Sequence, residues 1–599
     1  MLKGPRAFLL LAGFVFVYIA LRAILVPLTH DEARTFFVYT LSGEFLPGLS
    51  HWDAGNHFLC TALGWVSYKA FGMAPIALRL ASVLAFAVYA WYTWRMGSWM
   101  RDTLMRWSLW AALLLAPVLI EFFALYRGYG LGIALLLMAL YHTAEAVRTA
   151  SIAQVVVALL GWMLAASAML TLVVVWCGGL LLLLLVVLRR PMSTGQRIAS
   201  GSLWVLLGAV PAAAAVLLGQ AMEERGLLYY GTRDGLIQGS LRSLGTMLFG
   251  PDAGWSVVPL TAALVAVLLY VAVLVLRAPR DMRVRPVTVI ALLLAVELLG
   301  RLVLGEAFGV RYPEDRTALH WVPLLTLLTA LVVDLAAERR AVLRWTGLVL
   351  LVLPLRTLAT LNLSHTAIWP QEAISGHIFD TAARMQMAAG RPLLIDAYRQ
   401  MPPQWDFERL RHYPGLAPLS TTGFPQGDCD LLLIDTTYFH APPGFRTIST
   451  SASGRQVLKV RERPLQFALL KDSVLPSREV EGEFVTLLEP TVTELLGTQP
   501  VIDLALVLRS PERTPAIDLV IEVNGPGGEH LHYDLLELNT LQRSWQGDTL
   551  HLYRRIPTLA GNTRRVACYL WNRHRQEVEL AYARARVLRI QPDHDLRDH

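Results

Sequence analysis

The chain has 599 residues, 55% of them hydrophobic and only 17% charged, with 53 Lys and Arg against 46 Asp and Glu. Soluble globular chains carry roughly 25% charged residues, so this composition, with a mean hydropathy of +0.46, excludes a protein that lies wholly in water. The net charge of +7 sits largely in short arginine-rich loops between apolar runs and requires no nucleic-acid partner.

Apolar runs recur from Ala7 to about Leu363 and cease after Ser364. A helix needs roughly 20 apolar residues to cross a bilayer core of about 30 Å. That criterion predicts about eleven spans, centred near Val15, Phe86, Leu115, Leu136, Leu160, Leu182, Val210, Val265, Leu293, Leu327 and Leu350. The stretch Ile152–Leu188 is too long for one helix and is split at a tight turn near Met169–Thr171.

The first run, Ala7 to about Pro27, has basic flanks and no small-residue cleavage site, so it is expected to stay as an anchor. Directly after it comes His30-Asp31-Glu32-Ala33-Arg34. An acidic pair there reads either as a helix cap on an exposed loop or as a catalytic pair at the water–lipid boundary. The loop that follows runs from Thr29 to about Met73. Within it, Asn56–Phe71 has helical apolar spacing and is expected to lie along the membrane surface.

Further polar residues fall at the same ends of the spans. Asp53, Asn56 and His57 sit in His51–Phe58, and Arg79 opens the second span. Arg127 and Tyr129 occupy the short turn Tyr126-Arg127-Gly128-Tyr129-Gly130. Tyr229, Tyr230, Arg233, Asp234 and Arg242 lie in a long segment, Glu223–Trp255. Arg311, Tyr312 and Arg316 precede the tenth span. Charges at membrane depth are expensive without a purpose, although some interface residues only snorkel. Arg22, Glu121, Glu297 and Arg301 lie within or near spans instead.

Every second loop is basic: Lys3 and Arg6; Arg95, Arg101 and Arg106; Arg148; Arg189, Arg190 and Arg197; Arg277, Arg280, Arg283 and Arg285; Arg339, Arg340 and Arg344. Cytoplasmic loops carry such an excess. Eleven spans place all of them in the cytoplasm with the N-terminus, and put Asp31 and the whole C-terminal region outside.

The soluble part shows two textures. Over 364–463, helix and strand signals alternate: a helix Gln371–Ala389, a strand Pro392–Ile395, a helix Gln404–Tyr413, a strand Leu431–Ile434 and a hairpin Arg446–Arg461 turning at Ser451–Gly454. This predicts a small α/β domain with parallel strands. Over 464–599, short strands alternate with turns, among them Val501–Leu508, Ile517–Val523, Leu531–Leu536, Val566–Trp571 and Ala583–Ile590. A β-sandwich of jelly-roll type is expected. Trp545, Tyr553 and Trp571 read as core aromatics more readily than as a sugar-stacking surface. Cys429 and Cys568 fall in separate halves, no CxxC occurs, and a bridge between them is unforced.

Arginines neutralise a phosphate through planar, bidentate hydrogen bonds, and a carboxylate can take the proton of an attacking hydroxyl. The set therefore suits transfer of a group from a lipid phosphate. At this point residues 1–363 resemble the GT-C superfamily of glycosyltransferases, close to bacterial protein O-mannosyltransferases and the lipid A aminoarabinose transferase. The matching marks are Asp31-Glu32-Ala33, Asn56-His57, Arg79-Leu80-Ala81-Ser82 and the Tyr126–Gly130 turn. Gly55-Asn56-His57-Phe58 departs from the pattern of two asparagines and a proline around the histidine.

The resemblance implies an inverting glycosyltransferase in a bacterial inner membrane, with its active site and C-terminal domains in the periplasm. It would move a sugar from a polyprenyl-phosphate donor to a glycan, lipid or protein acceptor. Asp31, with Glu32 beside it, inherits the role of catalytic base. Arg34, Asp53, Asn56, His57, Arg79, Arg127, Tyr129, Arg311, Tyr312 and Arg316 inherit contacts to donor or acceptor. Some members use a divalent metal; Glu32, Asp53 and His57 match no metal signature, so metal use stays open. A transporter or flippase would concentrate charge at the bilayer midplane in two related halves, and a membrane-anchored carbohydrate-binding protein would need one span, not eleven.

Overall fold

The computed structural model describes residues 4–189, 193–277, 285–397, 401–420, 427–480, 482–512, 514–542 and 544–591. Lys3, Arg190, Arg280 and Arg283 of the basic loops lie outside the described residues. The chain divides into two compact units: Met1–Val26 with Gly43–Leu363, and Pro27–Ser42 with Ser364–His599. It is a polytopic α-helical membrane protein with a β-rich C-terminal region.

In the first unit, nine helices among the described residues are long and apolar enough to cross a membrane. A bent pair, Thr103–Leu114 and Pro117–Phe123, and a shorter apolar helix, Ile152–Ala168, accompany them. Counting the bent pair as one span gives ten against the eleven expected, and the shorter helix Ile152–Ala168 covers the remaining expected centre near Leu160. The pair bends by 48° because Pro117 cannot continue the preceding ladder and forces Ala116 into an extended conformation (ψ 119°). The expected break after Ile152–Ala168 is also present: Met169 is extended and Leu170–Leu172 forms one 3₁₀ turn. Small residues let helices approach closely; a Cβ on Gly161 would stand 3.1 Å from Cα of Ala139 on the neighbouring helix Gly128–Thr149. The surface helix runs Phe58–Phe71, burying Cys60, Thr61 and Gly64 while Leu63, Val66 and Phe71 stay exposed.

The second unit opens with the helix His30–Thr35 and the π-turn Phe36–Thr40. These residues group with the C-terminal region and not with the spans that flank them in sequence. The α/β part contains the helices Gly376–Ala389 and Pro402–His412. Its strands are Ile395–Ala397 (β1), Leu431–Asp435 (β2), Phe445–Thr450 (β3) and Gln456–Arg461 (β4), in the order β1-β2-β4-β3. Only β1 and β2 run parallel. They are joined through Pro402–His412, the helical crossover a parallel pair needs, whereas β3 and β4 form a hairpin.

Two further sheets follow. Phe484–Leu488 (β7), Ile517–Asn524 (β9), His530–Glu537 (β10) and Arg565–Asn572 (β12) pair in the order β10-β9-β12-β7. Phe467–Leu475 (β5), Pro500–Arg509 (β8), Gln546–Arg555 (β11) and Glu579–Ile590 (β13) pair as β11-β8-β13-β5, with the short Arg478–Glu479 (β6) on β13. Alternate residues of both sheets, such as Leu504, Leu506, Leu519, Ile521 and Leu570, fill one core. Trp545 and Tyr553 are buried in core positions. A second core joins the sandwich to the α/β part through Leu394, Leu432, Val501, Tyr553 and Leu588. All four cysteines are free thiols.

Candidate functional site

The turn Tyr126–Gly130 builds the wall of a cavity in the first unit. Ser82 Oγ donates to the Arg127 carbonyl (3.3 Å), and the helix Gly128–Thr149 starts at once behind it. Gly128 is required by close packing: a Cβ there would stand 2.0 Å from the Ala168 carbonyl oxygen and 2.7 Å from Cβ of His57. His57 Nδ1 lies 2.9 Å from that same carbonyl. The Tyr129 ring meets the His57 ring edge-on at 4.7 Å and the Phe122 ring at 4.8 Å. A cavity of about 60 Å³ opens here. Asn56, His57, Tyr129, Thr171 and Thr317 form its polar wall, and Ala166, Ala168, Met169, Leu170 and Met222 its apolar one.

The loop before His57 is held by its own polar groups. Asp53 Oδ1 accepts from the Gly55 amide at 2.7 Å. Asn56 spends its amide on the Phe45 carbonyl and its oxygen on the Thr61 hydroxyl, both at 2.9 Å. Arg127 is buried, and a Cβ on Gly55 would sit 3.6 Å from its Nη2. Arg79 is wholly buried and donates to the Ala23 and Val26 carbonyls at 3.2 and 2.7 Å, closing the end of the helix Gly4–Leu25.

The turn before the tenth span brings its own group. Arg316 lies 4.2 Å from the Tyr230 ring centroid and donates to the Tyr230 hydroxyl, which itself donates to Asp315 (3.0 Å). Burial first, then the negative charge of Asp315, hold the Tyr230 hydroxyl above its ordinary range. Thr317, next to Arg316, lines the cavity. Arg311 and Tyr312 sit beside this group. Arg311 donates to the Gly231 carbonyl (3.2 Å), while Tyr312 pairs with Thr232 as an antiparallel bridge and donates to Glu306 (2.6 Å).

Of the twelve residues singled out in the sequence, Asn56, His57 and Tyr129 thus share one cavity, with Arg127 in its supporting turn. Asp31, Glu32 and Arg34 belong to the helix His30–Thr35 of the second unit. That helix carries a capping box: Thr29 Oγ1 accepts from the Glu32 amide, and Glu32 Oε2 accepts from the Thr29 amide at 2.8 Å. Glu32 is wholly buried in this role, while Asp31 is half-buried and its carbonyl accepts from the Thr35 hydroxyl.

Arg22, Glu121, Glu297 and Arg301, also set within or near spans, form two pairs. Arg22 Nη2 reaches both oxygens of Glu121 at 2.7 and 2.8 Å. Glu297 Oε1 takes Arg301 Nε at 2.9 Å, His320 Nε2 at 2.8 Å and Trp321 Nε1 at 3.3 Å. Arg301 in turn donates to the Thr171 carbonyl. One buried carboxylate therefore holds His320 and Trp321 directly and reaches Thr171 of the cavity wall through Arg301. The i,i+4 spacing of Glu297 and Arg301 on an apolar helix was the signal for this cluster; His320 and Thr171 had none. Among the described residues no three His, Cys, Asp or Glu side chains come together as a metal donor set.

No protein-family model matches the chain, and no curated protein gives a significant match. Solved structures do. ArnT from Cupriavidus metallidurans in the apo state aligns at 13% identity over 76% of this chain and 98% of its own, with a TM-score of 0.43. The same protein bound to undecaprenyl phosphate aligns at 14% identity over the same shares, with a TM-score of 0.45. The arabinosyltransferase EmbB from Mycobacterium smegmatis aligns at 13% identity over 97% of this chain and 64% of its own, with a TM-score of 0.34. These are structures to which the chain is similar, each at a TM-score below 0.5.

Proposed function

We propose that the chain is an inverting glycosyltransferase that moves one sugar from a polyprenyl-phosphate donor to an acceptor hydroxyl at the periplasmic face of a bacterial inner membrane. The observation that carries this reading is the cavity at His57 and Tyr129. It lies among membrane-spanning helices, more apolar than polar, with the buried Arg127 guanidinium in its supporting turn. Such a wall suits a lipid-linked phosphate, whose charge needs arginine and whose tail needs hydrocarbon.

In this reading Asp31 accepts the proton of the acceptor hydroxyl as its oxygen attacks the anomeric carbon. The bond from that carbon to the phosphate oxygen breaks, the electron pair leaves with the phosphate, and configuration inverts in a single displacement. Arg127 and Arg316 neutralise the departing phosphate, and His57 and Tyr129 face the sugar. Arg79, Asn56 and Asp53 hold the loops that carry these groups, Arg311 and Tyr312 fix the outer turn, and Glu32 and Arg34 belong to the helix that presents Asp31.

The test uses the purified full-length protein in lipid nanodiscs, bare undecaprenyl phosphate as binding probe, a panel of undecaprenyl-phosphate-linked monosaccharides as donors, and hydroxyl-bearing glycan, lipid and protein acceptors offered with each donor. Asp31→Asn should lower transfer by about 10²–10⁴-fold, the usual cost of losing a general base, while undecaprenyl phosphate still binds. Arg127→Ala should weaken that binding. Transfer at the unsubstituted rate in Asp31→Asn would overturn the assignment of the base, and absence of transfer from every donor would overturn the reading itself.

A further inference from the structure

Two tethers hold the short helix that carries Asp31, one on each side of it, and both come from the C-terminal region. Before it, the His30 amide donates to Glu372 Oε2 at 2.7 Å, across 342 residues of sequence. This amide belongs to the first turn of the helix, where N–H groups lack intrahelical partners, and a carboxylate supplies a charge-assisted acceptor. After it, the Phe36 ring stands edge-on to Phe407 at 5.2 Å, and both rings are wholly buried. The helix bearing Phe407 is itself fixed: Arg409 donates to the Thr540 and Leu541 carbonyls at 3.0 and 2.8 Å, which ties it to the sandwich. Inside the segment, the Thr29–Glu32 capping box stiffens the first turn.

We propose that the C-terminal region positions Asp31 for the reaction, with Glu372 and Phe407 as positioning residues. This rests on the reading of Asp31 as the base. A single tether would leave the helix free to pivot about it. Two tethers flanking Asp31 fix both its place and its direction, which is what a general base needs to meet a hydroxyl proton. The β-sandwich then serves the reaction through Arg409 and the helix Pro402–His412, without touching substrate.

The experiment compares Glu372→Ala, Glu372→Gln and Phe407→Leu in the full-length protein in nanodiscs, by amide hydrogen exchange and by transfer kinetics on the same donor panel. In Glu372→Ala the amides of His30–Thr35 should exchange faster while those of β8 stay protected. The kcat should fall on the order of 10- to 100-fold, the scale of a displacement of about 1 Å, with undecaprenyl phosphate binding unchanged. Glu372→Gln keeps an oxygen that accepts from the His30 amide and should recover most of the rate. Phe407→Leu should show the same separation of kcat from binding. Unchanged exchange over His30–Thr35 in Glu372→Ala, or an unchanged kcat, overturns the proposal. Asp31→Asn in the same assay separates the two ideas: if it is inactive while Glu372→Ala is fully active, the positioning role falls and the base stands. If Asp31→Asn is fully active, the base reading falls whatever the exchange shows.

Discussion

His57 Nδ1 lies 2.9 Å from the carbonyl oxygen of Ala168, at the point where the helix Ile152–Ala168 gives way to the break at Met169. A carbonyl only accepts, so Nδ1 carries the proton, and in the neutral ring Nε2 holds the lone pair. One nitrogen thus ties two cavity walls together, and the other has the chemistry to accept a hydrogen bond from a sugar hydroxyl.

The two nitrogens separate in mutants. His57→Asn places an amide N–H near the position of Nδ1 and should retain the melting temperature while weakening donor use. His57→Ala loses the tie as well and should melt lower by the equivalent of about 1 kcal/mol, the net worth of a buried hydrogen bond. The check is thermal unfolding beside transfer kinetics. Equal donor KM for His57→Asn and the unsubstituted protein would remove His57 from the sugar site.

Glu32 and Asp31 should behave as different kinds of residue although they are adjacent. Glu32→Ala breaks the capping box and costs about 0.5–2 kcal/mol of local stability, seen as faster amide exchange over His30–Thr35. Asp31→Asn should leave that exchange unchanged and act on the rate. Identical behaviour of the two variants in both measurements would show that the pair works as one cap.

The Arg22–Glu121 pair is nearly solvent-free on both sides. Removing one partner leaves a buried charge uncompensated, so Glu121→Leu should destabilise the first unit by about 3–5 kcal/mol. The double variant Arg22→Met with Glu121→Leu should recover most of the loss, since the charge and its counter-charge go together. Thermal unfolding in detergent is the measurement, and an additive double variant would disprove the coupling.

Orientation can be read with reporters. A reporter that works only after export should be active when fused after Ser364 and inactive when fused near Arg283, because arginine-rich loops mark the cytoplasmic side. The opposite pattern would put Asp31 in the cytoplasm and end the proposed mechanism.

What the sequence by itself determined is short-range. Runs of apolar residues decide which stretches become helices long enough for a membrane, since each must satisfy its backbone internally. Pro117 bends one of them, and period-two alternation places β8, β9 and β12. Thr29 and Glu32, three residues apart, spell the capping box, yet the same letters fit a catalytic pair, so the pattern alone could not separate Glu32 from Asp31. What only the tertiary structure decided is which distant groups meet. Arg22 finds Glu121 across 99 residues, His57 finds the Ala168 carbonyl across 111, and the amide beside Asp31 finds Glu372 across 342. Local hydropathy carries no information about such pairings. They arise because a buried charge or amide must take whichever partner the packing brings within hydrogen-bond reach.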